Sequence, residues 1–102
     1  MPSNKPTYSL EHIARLLETG GIEIRKVVSL SLSNHGFDPS EVVISTLTEI
    51  SLGKGTFHKV IDLMETQADV YFVNALDERW YVKFYIVGSL VIVSCKPDGH
   101  GW

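Results

Sequence analysis

A phenol and an ammonium, Tyr81 and Lys96, are brought side by side by the strand pattern of the last third of this chain, Asp69 to Lys96. From Arg79 onward the even positions Trp80, Val82, Phe84 and Ile86 are apolar, while Arg79, Tyr81, Lys83 and Tyr85 each carry a polar group. Period two is the signature of a strand with one buried face. After Gly88-Ser89 it resumes, with Val91, Val93 and Cys95 on one side and Leu90, Ile92, Ser94 and Lys96 on the other. A two-residue turn at Gly88-Ser89, with Gly first as a type II′ turn favours, pairs Ile86 with Val91, Phe84 with Val93 and Val82 with Cys95. Tyr81 then lies across from Lys96, and Lys83 across from Ser94, on the face that the core does not use. Directly opposed side chains have Cβ atoms roughly 5 Å apart. A neighbouring ammonium lowers the pKa of a phenol, so this pair is suited to moving a proton beside a negative charge.

Other chemistries find less support. Cys95 is the one cysteine, which excludes an internal disulfide, and its place on the apolar face makes it a packing residue rather than a nucleophile. His12, His35, His58 and His100 show no metal-ligand spacing with one another or with Cys95, so no metal site and no cofactor is expected. Gly53-Lys54-Gly55 lacks the spacing of a phosphate-binding loop. Taken alone, Lys59, Lys83 and Lys96 read as a solvated sheet face.

The elements that must hold Tyr81 and Lys96 follow from the same patterning. A turn at Asp77-Glu78 pairs Ala75 with Trp80, Val73 with Val82 and Tyr71 with Phe84, which puts the odd residues of Asp69 to Ala75 on the core face. Val70, Phe72 and Asn74 then flank the polar face. Phe57 to Met64 reads as a further strand, with Phe57, Lys59, Ile61 and Leu63 on one side and His58, Val60, Asp62 and Met64 on the other. That alternation directs His58 away from Lys59.

Helices must cover the apolar face. Ser9 as N-cap, then Leu10, Ile13, Leu16 and Leu17 at helical spacing, then Gly20-Gly21, predict an amphipathic helix. Asp38-Pro39-Ser40-Glu41 starts another, with Val42, Val43, Thr46, Leu47 and Ile50 as its apolar stripe. Between them, Ile22 to Leu32 is ambiguous: its even positions are mostly apolar, as in a strand, yet Asn34-His35-Gly36 closes it like a helix. Residues 1–8 read as a flexible arm and 97–102 as a flexible tail.

With 102 residues the chain has room for one core, and so for one domain over 1–102. No apolar run approaches the roughly 18 residues that span a bilayer, and Met1 to Tyr8 lacks the apolar region of a signal peptide. A cytoplasmic protein without membrane contact is expected. The net charge of −3 argues mildly against nucleic-acid binding by bulk electrostatics, but Lys83 and Lys96 concentrate positive charge on the exposed sheet face.

Phe57-x-Lys59, Asp69-Val70-Tyr71, Tyr81-Val82-Lys83 and the run Val91 to Lys96, together with the Leu10 to Gly20 helix and Gly36-Phe37-Asp38, resemble the MqsR family of toxins from type II toxin-antitoxin systems. The likeness runs over nearly the whole chain. It implies a RelE-like α+β fold, a small antiparallel sheet with helices packed on one face, and it resolves the ambiguous segment as a short strand at Ile22 to Ile24 followed by a helix. It further implies a metal-independent endoribonuclease that cuts messenger RNA and is silenced by a cognate antitoxin protein. The family's catalytic residues fall on Lys59, Tyr81 and Lys96, with Gln67 as the nearest match to a glutamine that here stands one position early. The tryptophan beside that glutamine is missing.

Metal-free RNA cleavage requires a base for the 2′-hydroxyl proton, positive charge on the phosphorane and an acid for the 5′-oxygen, and it yields a 2′,3′-cyclic phosphate and a 5′-hydroxyl. Tyr81 is expected to transfer a proton while Lys59 and Lys96 stabilise the phosphate. Lys83, Tyr71, Phe72 and Tyr85 are expected to bind single-stranded RNA, since aromatic rings beside cations suit unstacked bases. The alternative is a catalytically inactive RelE-like module that holds an antitoxin or RNA without cutting.

Overall fold

The computed structural model describes residues 5–99. Its elements in chain order are α1 (Leu10–Thr19), β1 (Ile22–Ile24), α2 (Lys26–Asn34), α3 (Pro39–Ser51), β2 (Thr56–Leu63), β3 (Thr66–Ala75), β4 (Glu78–Val87) and β5 (Ser89–Pro97). The strands form one five-stranded sheet in the order β1-β5-β4-β3-β2. This is an α+β architecture consistent with a small RelE-like fold, and the strand-then-helix reading of residues 22–34 holds. The sheet is mixed rather than wholly antiparallel, because β1 lies parallel to β5 along Ile22 to Ile24.

Local chemistry sets the helix ends. The Ser9 hydroxyl accepts from the His12 amide at 3.1 Å, and Gly20 closes α1 at φ 78°, a left-handed conformation that glycine adopts without steric cost. At α3 the Asp38 carboxylate accepts from Ser40 and Glu41 amides at 3.0 and 3.4 Å, with Pro39 in the first turn. Ile13, Val28, Leu32, Val42, Val43, Leu47 and Ile50 from the helices meet Tyr71, Val73, Trp80, Val82 and Phe84 from the sheet. Trp80 is fully buried, donates to the Ala75 carbonyl at 2.8 Å and meets Phe37 edge-on.

Both hairpin turns differ from the expected ones. The β3–β4 turn falls at Leu76-Asp77, with φ 51° and 61°, rather than at Asp77-Glu78. Two successive positive φ angles match the twist of a two-residue hairpin, and Asp accepts that conformation readily. Pairing therefore moves by two residues, to Ala75 with Glu78, Val73 with Trp80 and Tyr71 with Val82. An even shift leaves each side chain on its expected face.

The β4–β5 turn is corrected more deeply. Val87 pairs with Ser89 around Gly88 at φ 73°, so Ile86 meets Leu90 and Phe84 meets Ile92. Leu90 and Ile92 join the core in place of Val91 and Val93. A bulge then leaves Val93 unpaired, and the expected pairs resume as Lys83 with Ser94, Val82 with Cys95 and Tyr81 with Lys96. The turn and the bulge each shift the parity by one, and the two shifts cancel before Cys95 is reached. Four consecutive apolar residues, Leu90 to Val93, hide the change of face.

Of the arm expected over residues 1–8, residues 1–4 lie outside the described residues, while Thr7 and Tyr8 are fixed. Their amides each donate to the fully buried Asp69 carboxylate at 2.9 Å, and the Tyr8 hydroxyl donates to the Gln67 carbonyl at 2.6 Å. Of the expected tail, Pro97 ends β5, the Asp98 amide donates to the Arg79 carbonyl at 2.7 Å, and residues 100–102 lie outside the described residues.

Burial raises the Tyr71 phenol from 10.0 to about 12, with the Asp69 carboxylate adding to it, and raises the Cys95 thiol from 9.0 to about 12 against a smaller opposing hydrogen bond from Thr46. The folded protein thus keeps protons that the unfolded chain releases, so stability present below about pH 9 is lost as pH rises toward 12. Urea unfolding midpoints should fall across that window. Tyr71→Phe should flatten the fall and, by removing a buried hydroxyl without a partner among the described residues, stabilise the protein by about 1 kcal/mol at pH 7. Cys95, 4% exposed, should react with thiol reagents only after denaturation.

Candidate active site on the open face of the sheet

The side chains of β4 that do not enter the core point to the face opposite the helices. There Phe72, Tyr81 and Lys96 form a row across β3, β4 and β5, and Val70, Lys83 and Ser94 form the next row, with Lys59 of β2 paired to Val70. Lys96 Nζ lies 5.5 Å from the centre of the Tyr81 ring. The ammonium therefore sits over the aromatic face and not at the phenol oxygen. This placement accounts for a departure from expectation: partial burial raises the Tyr81 pKa, where a cation at the oxygen would lower it. At neutral pH Tyr81 is a proton donor.

Phe72 is the hub of this surface. Its ring meets the Tyr81 ring edge-on at 5.8 Å, lies 4.9 Å from the His58 imidazole, and carries the Arg79 guanidinium 4.8 Å from its centre. Arg79 is also paired with Asp98 at 3.4 Å. Lys59 and Lys96 stand on either side of Tyr81, from strands that flank the central pair. Lys59, Arg79, Lys83 and Lys96 thus gather on one part of this face with the rings of His58, Phe72 and Tyr81.

His58 and Arg79 are the residues that sequence reasoning passed over. Strict alternation would turn His58 away from Lys59, but β2 carries a bulge between Phe57 and Lys59. Phe57 pairs with Tyr71 toward the helices, Lys59 pairs with Val70 on the open face, and His58 reaches Phe72 on that same face. A signal was present, because one parity held both an aromatic ring that belongs in a core and an ammonium that does not.

The remaining expected site residues are placed elsewhere. Tyr71, expected to stack on RNA, is 3% exposed on the helix side, packed between Phe57 and Phe84 at 5.6 and 5.9 Å. Gln67 shares the parity of Asp69, toward the helix side, and its amide donates to Asp62 at 3.1 Å. It does not join Lys59, Tyr81 and Lys96. Tyr85 is on the open face but farther along β4, where Arg25 donates to its hydroxyl at 3.5 Å beside a groove of about 630 Å³ lined also by Glu23, Met64 and Val91. Among the described residues no three His, Cys, Asp or Glu side chains gather to hold a metal ion, and no helix is long and apolar enough to cross a membrane.

What the surface can do chemically is bounded by these placements. A phenol holding its proton can serve as a general acid, ammonium groups on both sides can neutralise a phosphorane, and aromatic rings beside cations suit unstacked bases. No protein-family model and no curated protein matches this chain.

Proposed function

We propose that this chain is the toxin of a toxin-antitoxin pair, a cytoplasmic endoribonuclease that cuts single-stranded messenger RNA without a metal ion and is silenced by a cognate antitoxin protein. The observation that carries this reading is the Tyr81–Lys96 pair on an uncovered sheet face, with Lys59 and Lys83 in the adjacent row. Tyr81 donates its proton to the departing 5′-oxygen. Lys59 and Lys96 hold the non-bridging oxygens as charge builds on phosphorus, and Phe72 and Lys83 bind the flanking nucleotides. The products carry a 2′,3′-cyclic phosphate and a 5′-hydroxyl. The MqsR-like motifs of the sequence, which include Tyr81, Lys83 and Lys96, support the same reading.

Gln67 favours a second reading, because it lies apart from the lysines with which the resemblance would group it. On that reading the chain binds an antitoxin or RNA and does not cut. Cleavage separates the two.

The test is RNA cleavage by the purified protein, alongside growth on induced expression with and without the adjacent reading frame. Tyr81→Phe and Lys96→Ala should each lower the cleavage rate about 10²- to 10⁴-fold and relieve growth arrest. Their stability should change by roughly 0.5 kcal/mol or less, since neither side chain enters the core. Lys83→Ala should instead weaken RNA binding and reduce its salt dependence. Chelation should leave the rate unchanged. Equal rates for wild type and Tyr81→Phe would remove Tyr81 from the proton transfer, and no cleavage by wild type would favour the binding module.

A further inference from the structure

We propose that His58 is the general base of the cleavage reaction, an inference that rests on the endoribonuclease reading and completes it. Tyr81 enters as an acid, which leaves the 2′-hydroxyl proton without an acceptor among the residues so far assigned. Histidine is the side chain whose ordinary titration range lies nearest neutrality, so in its neutral form it can accept that proton.

The backbone supplies the reason for its position. Without the extra residue in β2, Lys59 or His58 would face the helices; the bulge between Phe57 and Lys59 turns both to the open side. Bulges re-aim side chains in this way, often beside active sites. His58 is exposed, and its ring is 4.9 Å from Phe72, which is in turn 5.8 Å from Tyr81. Imidazole and phenol therefore stand on two sides of one aromatic ring, and the Arg79 guanidinium over that ring offers a cation to a phosphodiester lying between them. The titratable and charged groups facing His58 on this side of the sheet are Lys59 on its own strand and Arg79, Tyr81 and Lys83 on β4, with Lys96 farther off on β5, while β3 contributes Phe72. The nearby carboxylate, Asp98, is paired with Arg79.

The step balances without a co-reactant. His58 takes the proton from the 2′-hydroxyl as the O2′–P bond forms. The P–O5′ bond breaks, and its electron pair takes the Tyr81 proton. One proton leaves the nucleotide and one returns, so the enzyme ends with imidazolium and phenolate, and solvent exchange restores both.

Two measurements test the role. The first is the pH–rate profile of RNA cleavage for wild type, His58→Ala and Lys59→Ala. His58→Ala should lose about 10²- to 10⁴-fold in rate, should lose the rise of rate with pH through the histidine range, and should regain part of the rate with added imidazole. Lys59→Ala should be slow yet keep that rise. The second does not need turnover: the His58 ring titration, followed by NMR in the wild-type protein, should move upward by on the order of one pH unit when uridine 2′-monophosphate is added. Wild-type cleavage with an unchanged rate and profile in His58→Ala would overturn the role of His58 alone. No wild-type cleavage together with an unmoved His58 titration would count against the endoribonuclease reading itself, and with it against the base.

Discussion

A strand can offer its neighbours only two faces, and every functional statement about this protein depends on which face each residue of β4 takes. Trp80, Val82, Phe84 and Ile86 commit one face to the helices so fully that Tyr81, Lys83 and Tyr85 have no place but the other. The flanking strands must match this alternation, and two of them do so only by inserting a residue. Val93 in β5 restores the parity that the turn at Gly88 disturbs, while the bulge at His58 in β2 lets Phe57 and Lys59 serve opposite faces. The open surface is therefore made by departures from regular pairing as much as by the pairing itself.

The helix side makes that surface rigid. Phe57, Tyr71, Phe84 and Tyr8 form a chain of ring contacts under β2, β3 and β4, each between 5.6 and 6.1 Å. Asp69 fastens Thr7 and Tyr8 to β3 by accepting their two backbone amides. A buried carboxylate is costly unless hydrogen-bonded, so Asp69 and the segment before α1 stabilise each other. The motif Asp69-Val70-Tyr71 thus serves architecture: its carboxylate and its phenol both lie beneath the sheet, and only Val70 belongs to the open face. A sheet face gains precision from such backing, because its side chains take their positions from the backbone beneath them.

How much of this was legible in the sequence divides along physical lines. The clean alternation of Arg79 to Ile86, the caps at Ser9 and Asp38 and the glycine stop at Gly20 carried enough local information to place their elements. The Tyr81–Lys96 pair was also legible, although the turn used to derive it was wrong, because two shifts of one residue cancel. Where apolar residues occupy both parities, as from Leu90 to Val93, alternation says nothing about which face is inside. His58 was hidden for a related reason: a bulge is a contact between strands, and its only local trace was an aromatic ring and an ammonium sharing one parity. Tyr71 was assigned to RNA for its aromatic ring beside cations, whereas its odd position in β3 already placed it in the core.

The central claim is that RNA lies on the open face of the sheet, across Phe72 and between the lysines. The most direct measurement is amide and side-chain NMR of the labelled protein titrated with a single-stranded RNA whose 2′-positions are methylated, so that it binds without being cut. The account predicts shifts concentrated at His58, Lys59, Phe72, Tyr81, Lys83 and Lys96, with Ile13, Leu32 and Leu47 on the helix side unmoved. Shifts gathered on α1, α2 and α3, with the open face silent, would contradict it.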